Sequence, residues 1–348
     1  MTELQLPQVS GLAADILDEV ETAVIGKRRA LVMVLSGILA GGHVLLEDFP
    51  GLGKTLAARS FAQTLGLDFA RAQFTPDLLP ADLTGSFIFD QRENEFSFRK
   101  GPLFTGLLLA DEINRTPPKT QAALLEAMQE RQVTVEGETF ELDAPFHVLA
   151  TANPVEYEGT YPLPEAQLDR FMLQVSFGYP TPDEEWDVLH RRLDRRREEQ
   201  TLRPVIDSAT LLAMQAAIER VTVDESVGRY CVALAAATRS HQHVLMGSSP
   251  RGSLALMLVA RSFAVIAGRD FVTPEDVKAV APTVLAHRIA VKPELWMSKV
   301  SGATVVDAVL GSTPVPGALE PGSLEPGSHV PGSLGTGGLG DREERTGS

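Results

Sequence analysis

A glycine-rich turn between a short apolar run and a helical segment constrains this chain more than any other feature. The apolar run includes Leu45, the turn covers residues 51–53, and Lys54 and Thr55 open the helical segment. Backbone N–H groups of such a turn and of a helix N-terminus form a positive pocket for phosphate. Lys54 would contact the β- and γ-phosphates, and the Thr55 hydroxyl would bind Mg²⁺. The turn therefore predicts a phosphate-binding loop in an α/β domain.

Two acidic residues follow a second apolar run. Residues 107–110 are Leu-Leu-Leu-Ala, and Asp111 and Glu112 come directly after them. At the end of a strand, Asp111 is suited to hold Mg²⁺ through water, and Glu112 is the candidate general base for an attacking water. The alternative is a pair of solvated carboxylates, which the phosphate-binding loop in the same chain disfavours. The two motifs together predict a nucleoside triphosphatase.

The loop departs from the strict phosphate-binding pattern at one position. The first glycine of Gly-x-x-x-x-Gly-Lys-Thr would fall at Asp48. A Gly-Lys-Thr triplet alone is weak support, but the preceding apolar run and the downstream Asp-Glu pair strengthen it. Pro50, Gly51 and Gly53 remain to shape the turn.

Two further polar residues occupy positions that favour contact with phosphate. Asn153 follows the strand-like run 148–151, at the sheet edge expected for Asp111, where an amide can orient the attacking water. Arg251 follows a Ser-Pro pair that predicts a helix start. A cation in the first turn of a helix is disfavoured unless an anion lies nearby, so Arg251 is a candidate phosphate sensor. The alternatives are an Asn-Pro turn residue and an exposed arginine.

Arg170 precedes a predicted strand, on the far side of the sequence core from the phosphate-binding loop. One subunit has no evident way to bring this side chain to its own γ-phosphate. The position therefore suits an arginine finger that a second copy provides, an effect typically of about 10³–10⁵ in rate. The alternative is an ion pair with Asp169 or Glu165.

Composition narrows the class of protein. The 348 residues are 44% hydrophobic and 22% charged, as in ordinary globular proteins. The single cysteine, Cys231, excludes an internal disulfide and a cysteine-based zinc site, and it suits a reducing cytosol. The formal net charge of -15 argues against nucleic acid as a partner.

The apolar runs are too short for membrane insertion. Each falls below the roughly 18 residues that a membrane span requires, and the N-terminus lacks the pattern of a signal peptide. We therefore expect a cytoplasmic protein with no transmembrane segment.

The first half of the chain alternates short apolar runs with helical patterns, which predicts an α/β fold with a parallel sheet. Every candidate strand is apolar enough for burial on both faces. The candidate strands are residues 43–46, 69–73, 107–110, 147–151 and 171–175. Pairs of alternating segments within 85–98 and 132–142 predict two inserted β-hairpins.

The second half predicts helices and a tail. Thr181 and Thr273 each precede proline and open a capped helix, and residues 207–289 show no convincing strand. Pro-Gly pairs recur every five residues from Pro316, a composition that predicts disorder from residue 311 onward. The expected parts are an N-terminal helix or extension at 1–20, a nucleotide-binding core at 21–180, a linker helix at 181–206, a helical domain at 207–310 and a disordered tail at 311–348.

Several longer motifs resemble the AAA+ ATPases, and the match to their MoxR family is close. The blocks that carry the resemblance are 47–55, 111–115, 124–130, 150–154 and 165–171. The blocks at 124–130 and 169–171 are specific, since a generic phosphate-loop enzyme has no reason to carry them. The resemblance covers about residues 20–289 and implies an αβα core with a parallel five-stranded sheet and inserted hairpins, followed by a small all-α lid domain.

The resemblance implies a role for each candidate residue, with ATP and Mg²⁺ as cofactors. The roles are Walker A for Lys54 and Thr55, Walker B for Asp111 and Glu112, sensor 1 for Asn153, arginine finger for Arg170 and sensor 2 for Arg251. The nucleotide-binding set is Ile25, Gly26, Pro50, Gly51, Leu52, Gly53, Lys54, Thr55 and Leu56, and Mg²⁺ is expected at Thr55 and Asp111. Ile25 and Gly26 resemble the segment that lines the adenine pocket.

The resemblance also implies a ring of identical subunits, expected to be a hexamer. Hydrolysis would move the lid against the core through Arg251 and drive chaperone-like maturation or remodelling of a partner, often a protein with a von Willebrand factor A domain. Phe87, Phe89, Phe96 and Phe98 of the first hairpin are candidates for contact with the ring pore or the partner. The alternative is that these rings pack the hairpin itself.

Other functions of the same clade stay open. A nucleic-acid motor would need basic hairpins, whereas the second hairpin carries the acids Glu136, Glu138 and Glu141, with only Arg131 at its base. The motor subunit of a metal chelatase would need a dedicated partner that the sequence cannot reveal. A nucleotide-gated scaffold that does not hydrolyse ATP is disfavoured because all candidate catalytic residues are present.

Overall fold

A five-stranded parallel sheet with the order β2-β5-β8-β1-β9 organises the first half of the computed structural model. The described residues are 3–92, 94–153, 160–196, 201–295, 298 and 300–317. The strands are β1 (Val44–Glu47), β2 (Phe69–Gln73), β3 (Gly85–Asp90), β4 (Glu95–Lys100), β5 (Leu107–Asp111), β6 (Gln132–Val135), β7 (Glu138–Glu141), β8 (His147–Ala152), β9 (Leu173–Val175), β10 (Val244–Met246) and β11 (Ala290–Val291). The predicted parallel α/β fold is confirmed.

Helices cover the sheet and build the second half of the chain. The α-helices are α1 (Leu6–Ala23), α2 (Arg28–Leu39), α3 (Lys54–Thr64), α4 (Pro80–Thr84), α5 (Pro118–Glu130), α6 (Glu165–Leu168), α7 (Pro182–Arg195), α8 (Ser208–Ile218), α9 (Glu225–Ser240), α10 (Pro250–Ile266), α11 (Pro274–Leu285) and α12 (Gly302–Ser312). Short 3₁₀ turns lie at Ile113–Arg115, Ala286–Arg288 and Pro293–Leu295. No helix in the described part of the chain combines the length and the apolar content of a membrane span.

Strands β5 and β8 of the sheet are fully buried, but β2 is not. Every residue of β5 and β8 is buried, because both strands have neighbours on each side and helices on both faces. The prediction of burial on both faces is wrong for β2, where Arg71 and Gln73 are exposed. β2 forms one edge of the sheet, so its polar side chains reach solvent beside β5.

Three strands end at the same level of the sheet. Glu47 at the end of β1 pairs with Ala152 at the end of β8, and Ala110 of β5 pairs with Ala150. Since the strands are parallel, the loops that follow β1, β5 and β8 emerge at one edge, called here the carboxyl edge. This register brings the candidate phosphate-binding loop, the Asp-Glu pair and Asn153 together.

Both predicted hairpins form, and aromatic contacts join them. β3 pairs antiparallel with β4, and β6 with β7. The ring of Phe98 stacks on Phe140 of the second hairpin with centroids 4.0 Å apart, and Phe87 contacts the same cluster. Phe89 and Phe96, nearer the tip, are 43% and 70% exposed. The alternative that these rings pack the hairpin therefore holds for Phe87 and Phe98. Phe89 and Phe96 also pack on each other, with centroids 5.2 Å apart, but they keep enough exposed surface for contact.

The second half of the chain follows the predicted helix starts. Thr181, Ser249 and Thr273 each cap a helix that has proline in its first turn. The expectation of a wholly helical region is wrong at one place, where β10 pairs antiparallel with β11. These strands have three residues and two residues, which is too short for a periodic pattern in the sequence.

The two ends of the chain differ from the predicted boundaries. α1 continues to Ala23, and its buried face belongs to the same apolar core as α2, α3 and α10. The tail predicted from residue 311 begins inside α12, which ends at Ser312. Residues 318–348, with most of the Pro-Gly repeat, lie outside the described residues.

Candidate active site

A cavity of about 370 Å³ lies at the carboxyl edge of the sheet, between the loop after β1 and the ends of β5 and β8. Its lining residues are Pro50, Gly51, Gly53, Lys54, Thr55, Leu56, Asp111, Glu112, Thr151 and Asn153. The cavity thus brings together nearly all the residues expected to bind phosphate, hold Mg²⁺ and activate water. Thr151 is the one member that sequence analysis did not propose.

The phosphate-binding loop has the backbone that its glycines predict. Gly51 and Gly53 both have φ of +82°, in the left-handed region that L side chains rarely adopt. Gly53 is the N-cap of α3, so Lys54 and Thr55 lie in the first helical turn, at its positive end. Apart from the adjacent loop residues, no heavy atom of the described chain lies within 4 Å of the position that a Cβ would take at either glycine, so the loop is open there.

The Lys54 ammonium is held inside the loop. Its Nζ donates a hydrogen bond to the carbonyl oxygen of Asp48. Partial burial lowers the pKa of Lys54, and the nearby carboxylates of Asp48 and Asp111 oppose this effect. The lysine therefore lies between the loop and the acidic pair, where its charge can compensate a nucleotide phosphate.

Thr151 connects β8 to both acidic residues at the end of β5. Its hydroxyl donates to Oδ1 of Asp111 at 2.7 Å and accepts the backbone N–H of Glu112 at 2.8 Å. Glu112 adopts φ 58° and ψ 49°, a left-handed conformation that costs a non-glycine residue of the order of 1–3 kcal/mol. Such strain is typical of residues whose side chains must point in a required direction, and Thr151 holds this one in place.

The Glu112 carboxylate is itself engaged by two neighbours. Gln73 at the end of β2 donates to Oε2 at 2.8 Å, and a guanidinium nitrogen of Arg115 lies 3.2 Å from the same oxygen. Asp111 is similarly engaged by Arg71, whose Nη2 lies 2.7 Å from Oδ2. Both contacts to Glu112 go to Oε2, so they hold the carboxylate in place and leave Oε1 as the oxygen that could accept a proton from water.

Asn153 links the cavity to the segment that leads towards Arg170. The residue is 6% exposed, and its carbonyl oxygen accepts a hydrogen bond from Asn114 Nδ2 at 3.1 Å. The carbonyl oxygen of Asn114 in turn accepts the backbone N–H of Tyr161 at 2.6 Å. The end of β8 and the 3₁₀ turn after β5 are therefore joined to the chain that enters α6.

Asp48 has a structural role that explains why glycine is absent there. Its carboxylate accepts hydrogen bonds from the Ser176 hydroxyl at 2.7 Å and from the backbone N–H groups of Phe177 and Gly178. The side chain is buried and joins the phosphate-binding loop to the segment after β9. The departure from the strict pattern thus adds a contact between two parts of the site.

Replacement of Asp48 by glycine should destabilise the protein although it restores the strict loop pattern. The change leaves the buried Phe177 N–H without its acceptor, so we expect the free energy of unfolding to fall by about 3 kcal/mol. Urea denaturation followed by circular dichroism would measure it. Asp48→Asn keeps one acceptor oxygen and should lose less, and equal stability of Asp48→Gly and the parent would refute the assigned role.

A second cavity of about 510 Å³ adjoins the loop and is lined mainly by apolar residues. Ile25, Leu52 and Leu56 contribute to it, together with Tyr179 and Leu189 from the segment after β9 and from α7. Gly26, which comes directly after Ile25 in the chain, has a φ of +70°. A Cβ at this position would collide with the Glu184 side chain. The size and character of this cavity suit a nucleotide base beside the phosphates.

Arg170 lies at the opposite end of the sheet. Leu173, the first residue of β9, pairs with Val44, the first residue of the parallel strand β1, so Arg170 precedes the level at which β1 begins. The phosphate-binding loop follows the other end of β1. Within the described residues neither Asp169 nor Glu165 pairs with Arg170, and Asp169 instead binds Arg288.

Arg251 also lies outside the cavity of its own chain. It is exposed in the first turn of α10, whose N-cap, Ser249, donates a hydrogen bond to Asp169 at 2.9 Å. The charge of Arg251 is one of the influences that lower the pKa of Arg288, after burial of that guanidinium. The residue before Arg170 and the cap of the helix that begins near Arg251 are therefore in contact, and neither arginine is among the residues that line the phosphate cavity.

Comparison with known proteins agrees with this architecture. Residues 43–173 match the ATPase family associated with various cellular activities (AAA), and residues 236–309 match the AAA lid domain. A crystal structure of a candidate ATPase from Cytophaga hutchinsonii superposes with a TM-score of 0.82 and 41% identity, over 88% of this chain and 96% of that one. The sheet, the loop and the helical lid thus define an AAA+ ATPase fold.

Two relatives specify the family. The uncharacterized protein YeaC of Bacillus subtilis (strain 168) is 46% identical over 305 residues, which cover 88% of this chain and 95% of the relative. Chaperone MoxR1 of Mycobacterium tuberculosis is 40% identical over 321 residues, 88% of this chain and 84% of the relative. The chain belongs to the MoxR family of AAA+ ATPases. Membership in this family implies ATP hydrolysis.

Proposed function

We propose that this protein hydrolyses ATP with Mg²⁺ at the carboxyl edge of its sheet, in a ring of identical subunits that remodels a partner protein. The observation that carries the proposal is the division of the site within one chain. The residues that would bind phosphate and activate water line one cavity, whereas Arg170 lies at the opposite end of the sheet and the helix start that carries Arg251 contacts the residue before it. A complete site then requires two copies.

Five of the lining residues would each have a step in this reaction. Lys54 would contact the β- and γ-phosphates, and Thr55 and Asp111 would hold Mg²⁺, which when bound compensates negative charge on the phosphates. Asn153 would orient the attacking water, and Glu112 would accept its proton. The Gln73 amide and Arg115 would hold the Glu112 carboxylate through Oε2 while Oε1 accepts that proton.

The two arginines would complete the site of the next subunit. Both are cations with no place in their own phosphate cavity, and an exposed cation in the first turn of a helix gains from an anion nearby. We assign Arg170 as the arginine finger and Arg251 as the phosphate sensor, both acting on the nucleotide of the neighbour. A change in that nucleotide would then shift the lid of the subunit that provides them.

The work of the ring would be maturation or remodelling of a partner protein. The relative named Chaperone MoxR1 supports a chaperone role, and we carry that role to this chain as a proposal. The exposed rings of Phe89 and Phe96 offer apolar contacts at a hairpin tip that is firmly anchored through Phe98 and Phe140. A protein with a von Willebrand factor A domain is the expected class of partner, and a hexamer is the expected ring.

Steady-state ATPase activity against protein concentration, with and without Mg²⁺, tests this proposal. We expect Mg²⁺-dependent hydrolysis whose specific activity rises cooperatively as subunits assemble, because each site needs a second copy. Analytical ultracentrifugation of the same samples would relate activity to oligomeric state. Mg²⁺-dependent activity that stays constant in a protein shown to be monomeric would contradict the shared site.

A further inference from the structure

The turn that carries Arg170 precedes a strand of the core, and it also binds residues of the lid domain (236–309). Residues 169–172, called here the finger turn, form the connection between α6 and β9. Arg288 of the lid donates to the carbonyl oxygen of Phe171 at 2.7 Å and to that of Asp169 at 3.1 Å. His287 also bonds to the Phe171 carbonyl oxygen, at 3.1 Å. Two consecutive lid residues thus bind the backbone of the finger turn.

The side chain of Asp169 ties the same turn to a second lid element. Its carboxylate forms an ion pair with Arg288 through one oxygen and accepts the Ser249 hydroxyl at 2.9 Å through the other. The Arg288 side chain is 3% exposed and that of Asp169 16%, so the pair is shielded from solvent. Buried, charge-assisted contacts of this kind hold a fixed geometry far better than surface ion pairs.

Ser249 connects the Asp169–Arg288 ion pair to the helix turn that carries Arg251. Its hydroxyl caps α10 by accepting the backbone N–H of Arg251 at 3.2 Å, and the same hydroxyl donates to Asp169. Asp169 precedes Arg170 in the chain, so one serine lies between the helix turn that presents Arg251 and the finger turn that presents Arg170. A shift of either turn relative to the other would break this partly buried hydrogen bond.

We propose that Asp169, Ser249 and Arg288 form a lid clamp that fixes Arg170 and Arg251 as one rigid pair, presented to a single nucleotide phosphate of the neighbouring subunit. The clamp residues are positioning residues, since none of them lines a phosphate cavity in the described part of the chain. This inference rests on the proposed shared site. It adds that the lid, through the clamp, determines whether the finger is correctly placed.

Ser249→Asp is the informative variant because it separates capping from clamping. Aspartate caps a helix as well as serine does, but it cannot donate to Asp169 and places a second carboxylate against the first. We expect the ATPase rate to fall about 10²-fold, as for a displacement of about 1 Å at a catalytic group. Ser301→Asp, the same change at the exposed N-cap of α12, is the matched control and should keep the parent rate.

Mixing experiments distinguish a misplaced finger from a damaged fold. Ser249→Asp retains its own phosphate cavity, so mixing it with Lys54→Ala, which keeps its finger, should restore activity. Mixing it with Arg170→Ala should not, because neither subunit then provides a working finger. Asp169→Asn should behave in the same way, provided that circular dichroism shows a folded protein.

The outcomes separate the clamp from the proposed function. If Arg170→Ala and Lys54→Ala fail to complement each other, the proposals of a shared site and of a lid clamp are both refuted. If that pair complements but Ser249→Asp also rescues Arg170→Ala, the finger of the serine variant works and the clamp alone is refuted. A folded Ser249→Asp protein that Lys54→Ala cannot rescue would likewise refute it, since the defect would then lie in its own cavity.

Discussion

Replacement of Glu112 by glutamine is expected to leave ATP binding intact and to slow hydrolysis at least about 10²-fold. Glutamine has the shape of glutamate but cannot accept the proton of the attacking water. The change removes no group that contacts the phosphates, so the nucleotide should bind with similar affinity. Single-turnover hydrolysis together with equilibrium binding of a fluorescent ATP analogue would separate the two steps.

The control for Glu112→Gln is the same substitution at a glutamate that lies outside the cavity. Glu225 is exposed in the first turn of α9 and pairs with Arg229, and Glu225→Gln should keep the parent rate. An unchanged rate in Glu112→Gln with normal ATP binding would remove Glu112 from the role of general base. Loss of binding as well as turnover would instead indicate that the strained backbone at Glu112 had collapsed.

The residues that sequence analysis identified are those whose neighbours lie close in the chain. A glycine-rich turn before a helix, or two acids after an apolar run, is a local pattern with a local physical cause. Lys54, Thr55, Asp111 and Glu112 were found in this way, and the structure brings them into one cavity. Asn153 joined them because parallel strands of similar length end at one edge of the sheet.

The residues that were missed depend on pairings that a single sequence does not specify. Gln73 and Arg71 reach the acidic pair only because β2 lies next to β5, an order that follows from the whole sheet. Thr151 lies one strand away from the residues it supports and resembles any other strand residue. Asp48 carried a signal, the departure from glycine, but its partners after β9 lie about 130 positions downstream, as with Gly178.

The placement of Arg251 shows the same limit. Its helix start was predicted correctly from Ser249 and Pro250, whereas the preference of that turn for an anion stays a prediction. The sequence could not reveal that the N-terminus of α10 packs against the finger turn. The contact between Ser249 and Asp169 joins positions 80 residues apart, and it is the reason that we propose the nucleotide of a neighbour as the partner of Arg251.

Arg170→Ala should abolish most ATPase activity as a pure protein, with a loss of about 10³-fold or more. Removal of an arginine finger takes away positive charge where the transition state gains negative charge, while the variant's own cavity stays complete. ATP should therefore still bind. Arg170→Lys keeps the charge but not the planar fork of donors, so we expect only partial recovery.

Complementation decides whether Arg170 acts on a neighbour. In an equal mixture of Arg170→Ala and Lys54→Ala, random assembly would place an intact cavity beside an intact finger at about one quarter of the interfaces of a closed ring. Activity should reappear in that mixture and vary with the mixing ratio. Glu112→Gln mixed with Lys54→Ala is the matched control, because both changes damage the same cavity and no interface can be complete. Failure of the first mixture at every ratio, with rings shown to exchange subunits, would mean that Arg170 serves its own chain or none.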